Sequence, residues 1–171
     1  MHILLTVNAA FNVVNFRKGL VEALLSDGHR VTVLAPADDR SPEIAEMSCR
    51  FVPLVMDVKG LSPLKDVALV QRYVRHFRQE QPDAVLGYTI KNNIFGALAA
   101  RLTGVPFVPN ITGLGTAFLS GPLLQGVVLR LYRETFRKVP AVIFQNRDDL
   151  DFFIARKLLK EDQAVVVPGS G

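Results

Sequence analysis

Short apolar runs recur along this chain, and each is followed by a longer stretch with helical spacing. HILLTV (2–7), RVTVLAP (30–36), DAVLG (83–87), PFVPNI (106–111), AVIFQ (141–145) and AVVVPG (164–169) are strand-length runs rich in Val, Ile and Leu. Between the first two, FRKGLVEALLSDG (16–28) sets Phe16, Leu20, Ala23 and Leu24 at helical intervals and stops at Gly28. Ser41 and Pro42 start a short helix ahead of a further strand, FVPLV (51–55), where Pro53 predicts an edge position. Ser62 as N-cap, Pro63 in the first turn and Pro82 as the stop delimit a long helix. IFGALAARLTG (94–104) and the segments 122–138 and 147–159 read as three more. Strands that are apolar throughout must be covered on both faces, and helices alternating with them supply that cover. The expected fold is a doubly wound, Rossmann-like α/β domain with a mainly parallel sheet.

That fold constrains where a ligand goes. In an open parallel sheet the strand-to-helix loops share one rim, and ligands bind in the crevice beyond the carboxyl ends of the strands. VNAAFNVVNF (7–16), YTIKNN (88–93), NITGLGTAF (110–118) and QNRDD (145–149) are therefore expected to meet although they lie far apart in sequence. Lys91 at a strand end is a point cation suited to a diphosphate. Asn92 and Asn93 offer donors and acceptors to sugar hydroxyls, or else cap the next helix. Tyr88 and Thr89 precede them. Gly113 and Gly115 let backbone N–H groups approach a phosphate or a pyranose closely, while Thr112 and Thr116 add hydroxyls; a plain turn is the alternative. Gln145 and Asn146 complete the polar set. Asp148 and Asp149 read as charges placed at a helix N-terminus.

Composition narrows the choice of chemistry. At 171 residues, 49% hydrophobic and 21% charged, the chain is one domain with a real core. A single Cys49 rules out a disulfide framework, and His2, His29 and His76 lack metal-ligand spacing. A reducing cytoplasm fits. No run approaches a membrane span, and the opening lacks the basic region and cleavage pattern of a signal peptide, so a soluble or peripheral protein is expected. Twenty Lys and Arg against sixteen acids leave +4, which favours an anionic partner. Few aromatic residues accompany those charges, which argues against nucleic acid.

Gly113, Gly115 and Phe118, with Glu134 some way on, approach the dinucleotide fingerprint G-x-G-x-x-G/A. The match fails because Phe118 stands where a small residue is needed, and because the loop follows a late strand while the first strand-to-helix turn has no glycine.

Taken together, FNVVNFRKGL, GHRVTVLAP, PDAVLGYTIKNNIFGALAARLTGVP, NITGLGTAF, VIFQNRDDLDFF and the closing VPGSG resemble the amino-terminal domain of glycosyltransferase family 4. Enzymes that extend lipid-linked or capsular polysaccharide chains are the most similar kind. The resemblance covers the whole chain and implies half of a GT-B fold, with residues 1–171 as the acceptor-side domain and a donor-binding carboxyl-terminal domain outside this chain. It implies transfer of a hexose or N-acetylhexosamine from a nucleotide-sugar to a lipid-diphosphate-linked sugar or glycan, with retention of anomeric configuration. It also implies no metal and no cofactor beyond the nucleotide-sugar substrate. Asn12, Asn15 and Arg17 would then contact donor phosphates across the cleft, with capping and a surface arginine as the alternatives. A nucleotide-sugar epimerase half-domain and a non-catalytic nucleotide- or sugar-binding module are the rival readings.

The helix at 122–138 sets Leu124, Val127, Val128 and Leu131 beside Arg130, Arg133, Arg137 and Lys138. A basic amphipathic helix can lie on an anionic membrane and bring a polyprenyl-diphosphate acceptor to a cleft. The same pattern describes a half-buried helix with a solvated face. Arg72, Arg75 and Arg78 form a second series compatible with that surface.

Overall fold

The computed structural model describes residues 1–58, 62–113 and 121–169. Seven strands form one sheet: β1 His2–Thr6, β2 Arg30–Ala35, β3 Arg50–Pro53, β4 Ala84–Tyr88, β5 Phe107–Ile111, β6 Val142–Phe144 and β7 Ala164–Val166. Their spatial order is β3-β2-β1-β4-β5-β6-β7, and every neighbouring pair is parallel. β3, with Pro53, is an edge strand as expected. The helices are α1 Ala10–Phe16, α2 Lys18–Ser26, α3 Ser41–Glu46, α4 Pro63–Glu80, α5 Ile90–Thr103, α6 Pro122–Phe136 and α7 Arg147–Ala155. A 3-10 turn, Glu161–Gln163, leads into β7.

Strand alternation sorts the core into two layers. Leu4 and Leu34 face the layer built with Leu69, Tyr73 and Phe77 of α4, Ile94 of α5, Phe136 of α6 and Phe153 of α7. Ile3, Leu5, Val31 and Val33 face the other, with Val13 of α1, Val21 of α2 and Ile44 of α3. This is the doubly wound Rossmann-like arrangement. Cys49 lies in the second layer, and burial pushes its thiol up to about 11.

Two helix starts differ from expectation. The first helical segment begins at Ala10, well before Phe16, and breaks at Arg17 (φ −129°, ψ 4°), so only Val7–Ala9 link β1 to α1. α5 begins at Ile90, four residues before Ile94, so Lys91, Asn92 and Asn93 are helical residues and not a loop. α5 is buried almost all round, between the sheet, α4 and α6, so it carries no amphipathic signal by which to locate its start. Its approach to the sheet depends on glycine. A Cβ on Gly96 would meet the Phe107 ring at 2.6 Å, and one on Gly87 of β4 would meet the same ring.

Candidate functional site

The order β2-β1-β4 reverses direction between β1 and β4, and the crevice at such a reversal is where a doubly wound sheet opens to ligands. A cavity of about 250 Å³ lies there. Val7, Asn12, Phe16 and Arg17 line it from the β1 side, Tyr88 and Thr89 from the end of β4, Thr112 beyond β5 and Gln145 beyond β6. Four segments spread over residues 7 to 145 thus converge, because parallel strands put all their carboxyl ends on one rim. Val7 and Phe16 are the two ends of the segment expected on this rim, though only apolarity marked them individually.

Arg17 is the cation of this cavity. Its guanidinium carbon sits 4.6 Å from the centre of the Tyr88 ring, and its Nη1 donates to the Phe16 carbonyl at 2.8 Å. Burial lowers its pKa from the usual arginine value, and the Tyr88 phenol opposes that shift; an arginine nonetheless stays charged. Burial pushes the Tyr88 hydroxyl up to about 12, so it is a neutral donor at physiological pH. Asn12 is oriented by a 2.6 Å bond from its Nδ2 to Asn8 Oδ1. No carboxylate lines the cavity among the described residues. The wall is a set of neutral donors and acceptors around one positive charge, which suits hydroxyls and a phosphate oxygen.

Thr89 stands out. Its φ of 70° and ψ of 156° fall in a region essentially reserved for glycine, and its buried hydroxyl has no partner among the described residues. Such a conformation costs about 1–3 kcal/mol and persists only where surrounding structure imposes it, typically at sites that bind or react. Here it turns the chain directly from β4 into α5.

The other expected site residues are placed differently. Lys91 is 8% exposed and does not line the cavity; its Nζ bonds Asp66 Oδ1 at 3.0 Å and the Asp57 carbonyl at 2.8 Å. It is a buried ion-pair partner, not a mobile cation, because the early start of α5 turns it toward α4. Asn92 and Asn93, 0% and 1% exposed, do not cap α5 or face the cavity. Asn92 Nδ2 donates to Thr6 Oγ1 at 3.2 Å, and Asn93 Nδ2 donates to the Asn110 carbonyl at 2.9 Å, tying the helix to β1 and β5. Asp66 announced itself only as an acid in the first turn of a long helix, where its Oδ2 also accepts from the Ser62 N–H at 3.0 Å. Asn15 donates to the Phe11 carbonyl on the exposed side of α1. Asn146 caps α7: its Oδ1 accepts from the Asp149 N–H at 2.7 Å, with Asp148 and Asp149 in the first turn. Gly113 (φ 130°) follows Thr112 but does not line the cavity, while Gly115, Thr116 and Phe118 lie outside the described residues.

On α6, Val128 is buried and Leu124 and Leu131 pack on the core, so the apolar stripe is largely a core face; Leu123 and Val127 stay exposed. Arg130 is exposed, whereas Arg133 donates to the Arg156 carbonyl at 2.9 Å. Arg137 and Lys138 follow the end of the helix, at the opposite rim of the sheet. Arg72 bonds the Val55 carbonyl, and Arg75 and Arg78 are exposed. Among the described residues, no group of three His, Cys, Asp or Glu side chains is placed to hold a metal ion, and no helix is long and apolar enough to cross a membrane.

The sequence model of the family described as "Glycosyl transferase 4-like domain" matches residues 14–169, nearly the whole chain. The chain belongs to that family. Solved structures agree on the fold of this glycosyl transferase 4-like domain. A glycosyltransferase from Rickettsia africae superposes with a TM-score of 0.73 at 16% identity, over 98% of this chain and 42% of its own. The Anabaena protein HepE, solved with UDP and glucose, gives 0.72 at 16% identity, over 99% of this chain and 44% of its own. The UDP-GlcNAc 2-epimerase of Neisseria meningitidis, bound to UDP-GlcNAc, gives 0.70 at 14% identity, over 99% and 47%. The glycosyl transferase 4-like domain therefore spans a little under half the length of these solved chains, and it has the fold of the amino-terminal half of a GT-B protein. Comparison with curated protein sequences gives no significant match.

Proposed function

We propose that this domain is the acceptor-side half of a retaining glycosyltransferase that moves a hexose or N-acetylhexosamine from a nucleotide-sugar to a lipid-diphosphate-linked sugar or a glycan. The observation that carries the reading is the cavity at the β1–β4 reversal, walled by Asn12, Tyr88, Thr89, Thr112 and Gln145 around Arg17. Neutral hydroxyl and amide groups match sugar hydroxyls, and one buried-edge arginine matches a phosphate oxygen in its fork geometry. The Anabaena structure with UDP and glucose supports a nucleotide-sugar as the donor. In the transfer, the bond from the anomeric carbon to the diphosphate oxygen breaks and one to an acceptor hydroxyl oxygen forms; the hydroxyl proton leaves with the diphosphate or to solvent. Positive charge beside the departing diphosphate lowers the barrier without a metal. A carboxyl-terminal donor domain completes the site, because transfer needs reacting atoms within roughly 3–3.5 Å of each other. Exposed Leu123 and Val127 beside Arg130 give a lipid-linked acceptor a place at the inner face of the cytoplasmic membrane.

The test is an assay of the 171-residue chain, alone and continued by a GT-B donor domain, with labelled nucleotide-sugars and polyprenyl-diphosphate sugars. Transfer by the two-domain form only, lowered by Thr112→Val and Gln145→Ala, is the expected result. Equal turnover by both would show that the donor site lies wholly in this domain. The likeness to UDP-GlcNAc 2-epimerases favours one rival. Release of nucleotide with inversion of the sugar and no acceptor would establish that reading instead.

A further inference from the structure

A second hollow, about 560 Å³, lies at the rim opposite the cavity. Its walls are the last turns of α5 and α6 and the residues that lead into β5, β6 and β7, so it opens beyond the amino ends of the strands. Val105, Pro106 and Pro140 supply accessible apolar wall above the buried Phe107 and Val139, while Arg101, Arg137, Lys138 and Lys160 surround it with Asp162 as the one carboxylate. Four cations less one acid is +3, against +4 for the whole chain, so most of the excess charge gathers at this one groove.

Cations at helix C-termini commonly serve the last carbonyls. Ala100 O of α5 accepts from the Gly104 and Val105 N–H groups and from Thr103 Oγ1. Phe136 O at the end of α6 accepts from the Val139 N–H and from Gln163 Nε2 at 3.0 Å, and Gln163 Nε2 also reaches the Val139 carbonyl. Backbone and Gln163 thus satisfy these carbonyls. None of the four cations enters an ion pair among the described residues. Arg101, Arg137, Lys138 and Lys160 are exposed, unpaired and gathered from three separate parts of the chain around one hollow.

We propose that this groove is a binding site for an organic phosphate, a phosphate or diphosphate group carrying an apolar or aromatic body. Two arginines and two lysines match several phosphate oxygens at once, and the forked guanidinium suits them in particular. Val105, Pro106 and Pro140, which stay open to solvent on the same wall, accept the rest of the molecule, and the volume exceeds what inorganic phosphate alone would fill. The site is separate from the sugar-transfer cavity, since the strands of the sheet stand between the two rims. Occupancy there leaves the cavity accessible, which makes the groove suited to an effector or to the headgroup of an anionic lipid.

The experiment titrates the 171-residue chain with ADP, UDP and inorganic pyrophosphate, read by calorimetry at two salt concentrations, and floats it with vesicles of phosphatidylglycerol in phosphatidylcholine. Nucleoside diphosphates are expected to bind more tightly than pyrophosphate and less tightly at high salt. Arg101→Gln with Lys160→Gln should weaken them by about tenfold or more, and Arg78→Gln, at an exposed charge outside both hollows, should leave them unchanged. These substitutions are at exposed positions, and thermal melting will confirm that the variant folds. Flotation abolished by the same pair, without binding of the free phosphates, would assign the phosphate to a lipid headgroup. Absence of both forms of binding, binding that the pair does not alter, or binding that Arg78→Gln weakens as much would overturn the proposal.

Discussion

β1 and β4 lie side by side at the reversal of the sheet, yet they pass the chain to their helices in different ways. After β1, Val7–Ala9 intervene, and the polar residues that follow stay partly open: Asn12 and Arg17 line the cavity. After β4 only the strained Thr89 intervenes, and the polar residues that follow are pulled into the core, Lys91 against α4, Asn92 against β1 and Asn93 against β5. The two segments look equally functional as strings of polar letters. Where the helix begins decides whether such a residue serves a ligand or the fold, because each step along a helix rotates the side chain by about 100°.

Breaking the buried pair tests the comparison most severely. Lys91→Met leaves the Asp66 carboxylate uncompensated and should cost about 3–5 kcal/mol in chemical denaturation. Adding Asp66→Leu should restore much of it, since a buried pair replaced by apolar groups is often neutral. A Lys91→Met protein of wild-type stability that had lost ligand binding would return Lys91 to the cleft.

Close packing of α5 gives the next largest effect. Gly96→Ala drives a methyl group toward Phe107 and should destabilise by about 1–3 kcal/mol. Gly126→Ala in α6, where nothing lies within 4 Å of the added carbon, should instead stabilise by about 0.4–1 kcal/mol. Equal effects from the two would mean that α5 does not sit against β4 and β5 as described.

Acid should act on the β1 side. His2 Nδ1 accepts from Arg30 at 2.9 Å, so its Nε2 carries the proton and donates to Thr32 Oγ1 at 2.8 Å. Burial first, and Arg30 second, lower its pKa from 6.5; burial and Arg75 do the same for His76. A histidine whose folded pKa is lowered takes up its proton more readily when unfolded. Stability is therefore kept above the unfolded pKa and declines as pH falls below about 6.5 toward the folded pKa. Denaturation midpoints at about pH 7.5 and about pH 5.5 should show that decline, and His2→Gln should reduce it. A flat profile would contradict the neutral, Arg30-facing His2.

Arg17→Gln should change stability only slightly and so sharpens the contrast. It loses a partly exposed stacking contact worth about 0.5–1 kcal/mol, while affinity for a diphosphate-sugar should fall measurably by calorimetry. A loss of several kcal/mol of stability would make Arg17 structural, like Lys91.

Sequence alone determined the layer architecture, the parallel sheet, the edge position of β3 and the rim on which the loops gather, because strand-length apolar runs and helical spacing are local patterns tied to backbone periodicity. The topological rule that parallel strands share one carboxyl rim put Asn12, Tyr88, Thr89, Thr112 and Gln145 together, and the family resemblance added Arg17; all six line the cavity. Tertiary structure alone decided that Lys91, Asn92 and Asn93 belong to the core. The reason is physical: a helix buried on all sides shows no polar face to mark its first turn, and the φ of 70° at Thr89 that starts it early is imposed by packing, with no glycine to announce it. The partners of the Lys91 ammonium and of the Asn92 and Asn93 Nδ2 groups, Asp66, Thr6 and Asn110, come from α4, β1 and β5, and only the folded chain brings them within hydrogen-bond distance.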